Sequence, residues 1–274
     1  MKKYIIIGLF LSILGQTMAQ TFPNPVLNGR LKLSDNKRFL VHENGKPFFW
    51  MGDTAWELFH RLNKEQAAYY LKKRAEQGYN VVQAVVLAEF DGLHAPNTEG
   101  DTPLLNDDPR TPNEKYFQHV DFIIDEASRV GIYVALLPTW GDKLFKASWG
   151  NGPEIFTPDN AKVYGKWVGN RYKDRKNIIW LLGGDRNPRP NSNDEKVWRE
   201  MAAGIIEACG GQGNALISFH PQPVDKGSAE WFHNDEWLDF NMFQTGHCRE
   251  TPVYNALKKV YDLTPIKPVI DGEP

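Results

Sequence analysis

From residue 48 onward, short apolar runs rich in β-branched and aromatic residues alternate with longer segments of helical period. That alternation is what consecutive βα units on a parallel sheet require. The runs are Phe48 to Met51, Val81 to Leu87, Tyr133 to Pro138, Ile178 to Leu182, Leu216 to His220, Phe240 to Gln244 and Pro268 to Ile270. Most are nearly continuous in apolar residues, as strands buried on both faces must be, and right-handed crossovers curl such a sheet into a barrel. The expected fold class is α/β, a (β/α)8 TIM-type barrel of which this chain supplies seven strands. Because the chain stops at Pro274, four residues after the seventh run, a C-terminally truncated barrel is expected.

The intervening helices carry their own start and stop signals. Asn63 can cap a helix that runs to Gln77 and stops at Gly78, Thr157 followed by Pro158 opens another, and Ser192 with Glu195 has capping-box spacing. Tyr116 to Val130 places Phe117, Val120, Ile124 and Ala127 on one stripe, with Gly131 just beyond.

The first 19 residues read as a signal peptide: Lys2 and Lys3, an apolar run from Ile5 to Leu14, then Thr17-Met18-Ala19 before a cut. Gln20 stands where a lipoprotein needs a Cys, so a soluble periplasmic or extracellular protein is expected, without membrane insertion. Residues 20–47 form an N-terminal extension. Within it Leu31 to Ser34 and Phe39 to His42 predict a β-hairpin that covers the N-terminal end of the barrel, and residues 48–274 form the barrel itself. Cys209 and Cys248 are expected to be unpaired. With 32 Lys+Arg against 34 Asp+Glu, the net charge of −2 gives no bulk hold on nucleic acid.

Reacting groups on this fold project from the C-terminal ends of strands. Two acids stand out there, Asp185 after the fourth run and Glu273 after the seventh. Glycoside cleavage needs a carboxylic acid to protonate the leaving oxygen and a carboxylate to meet the oxocarbenium ion, roughly 5–5.5 Å apart when configuration is retained. The competing structural roles are a helix cap or Arg186 pair for Asp185 and a solvated chain end for Glu273. Trp56, Trp140 and Trp149 lie in rim segments and suit sugar faces, while Gln83, His220 and Gln244 can bind hydroxyls or orient the acids; Asp53 is the strongest single binding candidate.

Other chemistries lack their signatures. No His-Glu-x-x-His occurs, and His220, His233 and His247 are scattered, so no metal site is expected. Gly210-Gly211-Gln212-Gly213 follows a helix and precedes a strand, the wrong order for a phosphate loop, and no Gly-x-Ser-x-Gly elbow exists.

Phe49-Trp50-Met51-Gly52-Asp53-Thr54-Ala55-Trp56, Asn177-Ile178-Ile179-Trp180-Leu181-Leu182-Gly183-Gly184-Asp185 and Asp271-Gly272-Glu273-Pro274 resemble the apiosidase-like family, glycoside hydrolase family 140, from about Leu31 to the end. The resemblance implies a (β/α)8 barrel that hydrolyses a branched pectin such as rhamnogalacturonan II, with Asp185 as acid/base and Glu273 as nucleophile. Family members continue through an eighth strand and into a small C-terminal β domain, which this chain lacks. The expectation is a secreted, cofactor-free retaining glycoside hydrolase with an oligo- or polysaccharide substrate. A carbohydrate-binding barrel without catalysis and a metal-dependent barrel hydrolase are the alternatives.

Overall fold

The computed structural model describes residues 24–246 and 249–274; the segment expected to be a signal peptide and Cys248 lie outside them. A hairpin comes first, β1 (Leu31–Leu33) pairing antiparallel with β2 (Leu40–His42) around a turn in which Lys37 has φ 56°. Five parallel strands follow in sequential order: β3 (Gly52–Thr54), β4 (Val81–Leu87), β5 (Tyr133–Thr139), β6 (Ile178–Gly183) and β7 (Ile217–His220). A second parallel pair, β8 (Asn241–Phe243) and β9 (Val269–Asp271), continues the curl.

Polar groups join the two sheets. The Asp239 amide donates to the Ile217 carbonyl at 2.8 Å, the Ile217 amide donates to Asp239 Oδ2 at 2.7 Å, and Ser218 Oγ donates to the Phe240 carbonyl at 2.6 Å. Across the barrel interior, Gln83 Nε2 on β4 donates to the Gly272 carbonyl just past β9 at 2.6 Å. The barrel is incomplete, but its two ends are tied through its interior.

Alternation along the strands separates two cores. Val81, Val85, Tyr133, Ala135, Leu137, Ile179, Leu181 and Met242 fill the barrel interior, where Leu31, Leu40 and Phe48 plug its lower end. Val82, Val86, Val134, Leu136, Trp180 and Leu182 face outward. They meet the helices α1 (Leu58–Arg61), α2 (Lys64–Glu76), α3 (Glu114–Val130), α4 (Pro158–Tyr172) and α5 (Asp194–Ala208). The short α6 (Ala229–Phe232) and α7 (Val253–Tyr261) cover the β8–β9 side. Phe117, Val120, Ile124 and Ala127 form the buried stripe of α3, which ends on Gly131 at φ 88°.

The helix signals act as their chemistry dictates, with one exception. Asn63 and Gln66 make a reciprocal capping box at α2, and Thr157 with Asn160 does so at α4. Ser192 does not form the expected capping box with Glu195: its hydroxyl accepts from the Asp194 amide at 3.1 Å and donates to the Arg189 carbonyl at 2.8 Å, while Asn193 occupies the cap position without a side-chain bond.

The first barrel strand is also displaced. It begins at Gly52 rather than Phe48, because Phe48 turns down into the interior plug while Phe49 stays exposed. Among the described residues no helix is long and apolar enough to cross a membrane, and Cys209 is free.

Candidate active site

The loop after β6 is built on a backbone that few sequences allow. Gly183, Gly184 and Asp185 have φ of 93°, 110° and 48° in succession. A Cβ on Gly183 would lie 2.3 Å from the His220 carbonyl oxygen, and one on Gly184 2.6 Å from the Trp140 ring. Only glycine fits either place, and Asp is among the few residues that tolerate the left-handed region that follows. The turn lifts the Asp185 side chain to the mouth. It is no helix cap, since α5 starts nine residues later, and Arg186 donates to its carbonyl, not its carboxylate.

At the far side β9 delivers Glu273. One carboxylate oxygen of Asp185, one of Glu273 and a ring nitrogen of His220 all lie within 4.8 Å of one another. His220, wholly buried at the end of β7, stands between the acids: Nε2 is 3.1 Å from Glu273 Oε2 and Nδ1 4.0 Å from Asp185 Oδ1. Neither ring nitrogen has an aligned hydrogen bond among the described residues. Gln244 Nε2 donates to Glu273 Oε2 at 2.9 Å. Burial raises the pKa of Asp185 and the nearby Glu273 charge adds to that; His220, Gln244 and Arg186 pull it partly back.

Aromatic rings wall the pair. Trp56 meets His220 edge-on with centroids 5.2 Å apart and lies 5.0 Å from Trp140, whose own ring is 6.1 Å from His220. Trp140 is only 2 % exposed, packed against Gly184, so it serves as a wall rather than an open platform. Trp149 is exposed and covers the guanidinium of Arg186 at 4.3 Å.

Of the residues singled out in the sequence, Asp185, Glu273, His220, Gln244 and Trp56 converge. Trp140 supports them, and Gln83 acts from below by holding the Gly272 carbonyl beside Glu273. Asp53 does not join them. It pairs with Val82, which faces the helices, so its carboxylate points outward and accepts from Tyr70 Oη at 2.5 Å and from Arg74 Nε, both on α2. Because β3 starts at Gly52, four residues later than the apolar run, Asp53 lies within the strand on its outer face and not in the loop beyond its end. His233 lies apart, paired with Asn241, and His247 lies outside the described residues.

The structure adds groups to which the sequence reading gave no catalytic or binding role. Arg186, 1 % exposed, donates to the carbonyls of Phe145, Asp185 and Lys146 at 3.0, 2.6 and 2.8 Å. Burial lowers its pKa, while the charges of Asp142, Asp185 and Glu89 act in the opposite sense. Lys143, also fully buried, bonds Asp142 and the Phe90 carbonyl. Glu89, two residues beyond β4, is pushed up to about 7 by burial first and then by the charges of Glu57, Asp185 and Asp142. Its only signal in the sequence was its place at a strand end.

A family model described as "Apiosidase-like, catalytic domain" matches residues 34–274. No curated protein matches the sequence. A solved structure named glycoside hydrolase is 35% identical with a TM-score of 0.77, over 91% of this chain and 57% of that one. A glycoside hydrolase family 5 structure from Bacteroides vulgatus is 36% identical with a TM-score of 0.79, over 92% and 55%. The chain therefore spans little more than half the length of these two. The catalytic domain of Thermobifida fusca endoglucanase Cel5A, 15% identical, shares the fold with a TM-score of 0.57 over 92% of this chain and 77% of that domain. The geometry of the mouth and the family match agree: this chain belongs to the apiosidase-like catalytic-domain family of glycoside hydrolases.

Proposed function

We propose that this chain forms the catalytic part of an exported retaining glycoside hydrolase of the family 140 type, acting on apiosyl linkages of a pectic polysaccharide. The observation that carries the reading is the approach of Asp185 and Glu273 to within 4.8 Å at the ends of β6 and β9. That spacing is close to what double displacement needs and well short of the roughly 6.5–9.5 Å of an inverting pair.

In the first step protonated Asp185 donates its proton to the glycosidic oxygen as the Glu273 carboxylate attacks the anomeric carbon; the C–O bond to the leaving group breaks and a glycosyl ester forms. Asp185, now ionised, takes a proton from water, whose oxygen attacks the same carbon and releases Glu273. The raised pKa of Asp185 suits a group that starts protonated. Donation from Gln244 keeps a lone pair of Glu273 directed, and the His220 ring stands between the two acids, 3.1 Å from Glu273 and 4.0 Å from Asp185. The pectic substrate and the apiosyl linkage rest on the sequence resemblance, and export rests on the first 19 residues.

The test is release of sugar from rhamnogalacturonan II oligosaccharides by the full-length gene product, with E273Q as control. Cleavage abolished by E273Q supports the reading; retention of glycan without cleavage would favour a binding barrel. A second reading draws on the same three side chains, since Asp185, His220 and Glu273 each offer a ligand atom within 4.8 Å. A metal-dependent hydrolase would lose activity to a chelator, and the retaining mechanism would not.

A further inference from the structure

Two residues beyond β4, the mouth holds a carboxylate that feels the charge of Asp185 and that the two-step chemistry does not use. Glu89 is half-buried, and among the described residues its carboxylate makes no hydrogen bond. The groups that act on it are Glu57 after β3, Asp142 after β5, and Asp185 and Arg186 after β6. Three of the four are acids, and Arg186 is committed to three carbonyls. A carboxylate in that setting is disfavoured by lost hydration and by its acidic neighbours; Arg186 offsets part of this, and among the described residues no hydrogen bond does.

The turn that carries Glu89 is nonetheless fixed. The Gly92 amide donates to the Glu89 carbonyl at 3.1 Å, and a Cβ on Gly92 would lie 2.5 Å from the Ala88 carbonyl oxygen. Phe90 is held at φ 54°, a conformation costly for an aromatic residue, with its carbonyl bonded by the buried Lys143 ammonium at 2.9 Å. The result is a pinned carboxylate beside an exposed phenyl ring, 46 % accessible, at the lip of the mouth. A polar hook next to an apolar face is the pairing that sugar recognition uses.

Because Asp185 protonates the leaving oxygen, the leaving-group sugar lies next to Asp185, the acid of the pair whose charge acts on Glu89. We propose that Glu89 is a specificity-determining residue that hydrogen-bonds a hydroxyl of the leaving-group sugar, with Phe90 against that sugar's apolar face. The hydroxyl supplies the partner that the protein withholds. This deepens the glycosidase reading and rests on it.

The test compares two substrates that carry the same glycosyl group: a rhamnogalacturonan II oligosaccharide, whose leaving group is a sugar, and the 4-nitrophenyl glycoside of the sugar released, whose leaving group has no such hydroxyl. Parent, E89A and E89Q are compared by kcat/KM, with melting temperature and circular dichroism as checks on folding. E89A should lose at least tenfold more kcat/KM on the oligosaccharide than on the aryl glycoside, and E89Q, which keeps hydrogen-bonding atoms, should lose less. Equal losses on the two substrates, or none on either, would overturn the proposal while leaving the glycosidase reading intact. A folded parent that cleaves neither substrate would remove that reading, and this proposal with it. If E89A fails to fold, the same ratio is read from E89L, which fills similar space without hydrogen-bonding atoms, and equal losses on the two substrates overturn the proposal.

Discussion

His220 Nε2 lies 3.1 Å from Glu273 Oε2, inside a barrel end where the imidazole has no access to solvent. The ring also faces Asp185 and lowers that acid's pKa against the larger upward effect of burial. It therefore couples the two acids without belonging to either.

Replacing His220 should disturb that coupling. In H220N the Asp185 carboxylate loses a favourable neighbour, so its pKa rises further and the alkaline limb of the kcat/KM profile moves to higher pH. The rate at the optimum should fall by about ten- to a hundredfold as Glu273 loses its support. A pH–rate series on parent and variant checks both; an unmoved limb would contradict the role given to the ring.

The two acids should respond differently to the leaving group. E273Q is expected to lose about a thousandfold or more on every substrate, because no ester can form. D185N should lose far more on sugar leaving groups than on 4-nitrophenyl glycosides, which depart without a proton. Both variants should melt close to the parent, since neither carboxylate holds the core together. Steady-state kinetics on the two substrate types checks the contrast.

Gly184→Ala should damage fold and site together. Its φ of 110° is a conformation that L side chains rarely adopt, and the new methyl would lie 2.6 Å from the buried Trp140 ring. A loss of about 2 kcal/mol or more is expected, and activity should fall further because Asp185 is the next residue. Thermal melting and kcat measure the two effects.

Asp239 links stability to pH. Burial pushes its carboxyl up to about 7, although it accepts from the Ile217 amide and Gln212. A carboxyl whose folded pKa lies above its unfolded value stabilises most below the unfolded pKa and loses that contribution as pH rises through the folded one. The parent should therefore weaken between about pH 4 and 7. In D239N the decline in Tm from pH 5 to 8 should be smaller by roughly 3 °C or more. Equal declines in parent and variant would contradict the assignment.

Much of this architecture is legible in the residues, and the places where it is not have physical causes. Strands such as Val81–Leu87 announce themselves because both faces are buried, and Asn63 and Thr157 cap helices by local chemistry that needs no tertiary context. The start of β3 is hidden because Phe48 and Trp50 look like strand residues but serve the interior plug, and that shift turned Asp53 from the mouth to α2. Ser192 has the spacing of a capping box, yet α5 starts one residue later than that spacing implies and its hydroxyl takes the Asp194 amide. Glu273 and Asp185 could be paired from strand order alone. Glu89 could not be weighed, because its significance lies in what surrounds it: Glu57, Asp142 and Asp185 come from three other loops.

The central claim is that Asp185 and Glu273 act on one anomeric carbon from opposite sides of a short gap. The most direct measurement is the configuration of the first-formed product, followed by proton NMR during the first minutes of hydrolysis of a 4-nitrophenyl glycoside. The account predicts the anomer of the substrate, appearing before mutarotation. The opposite anomer as first product would contradict it.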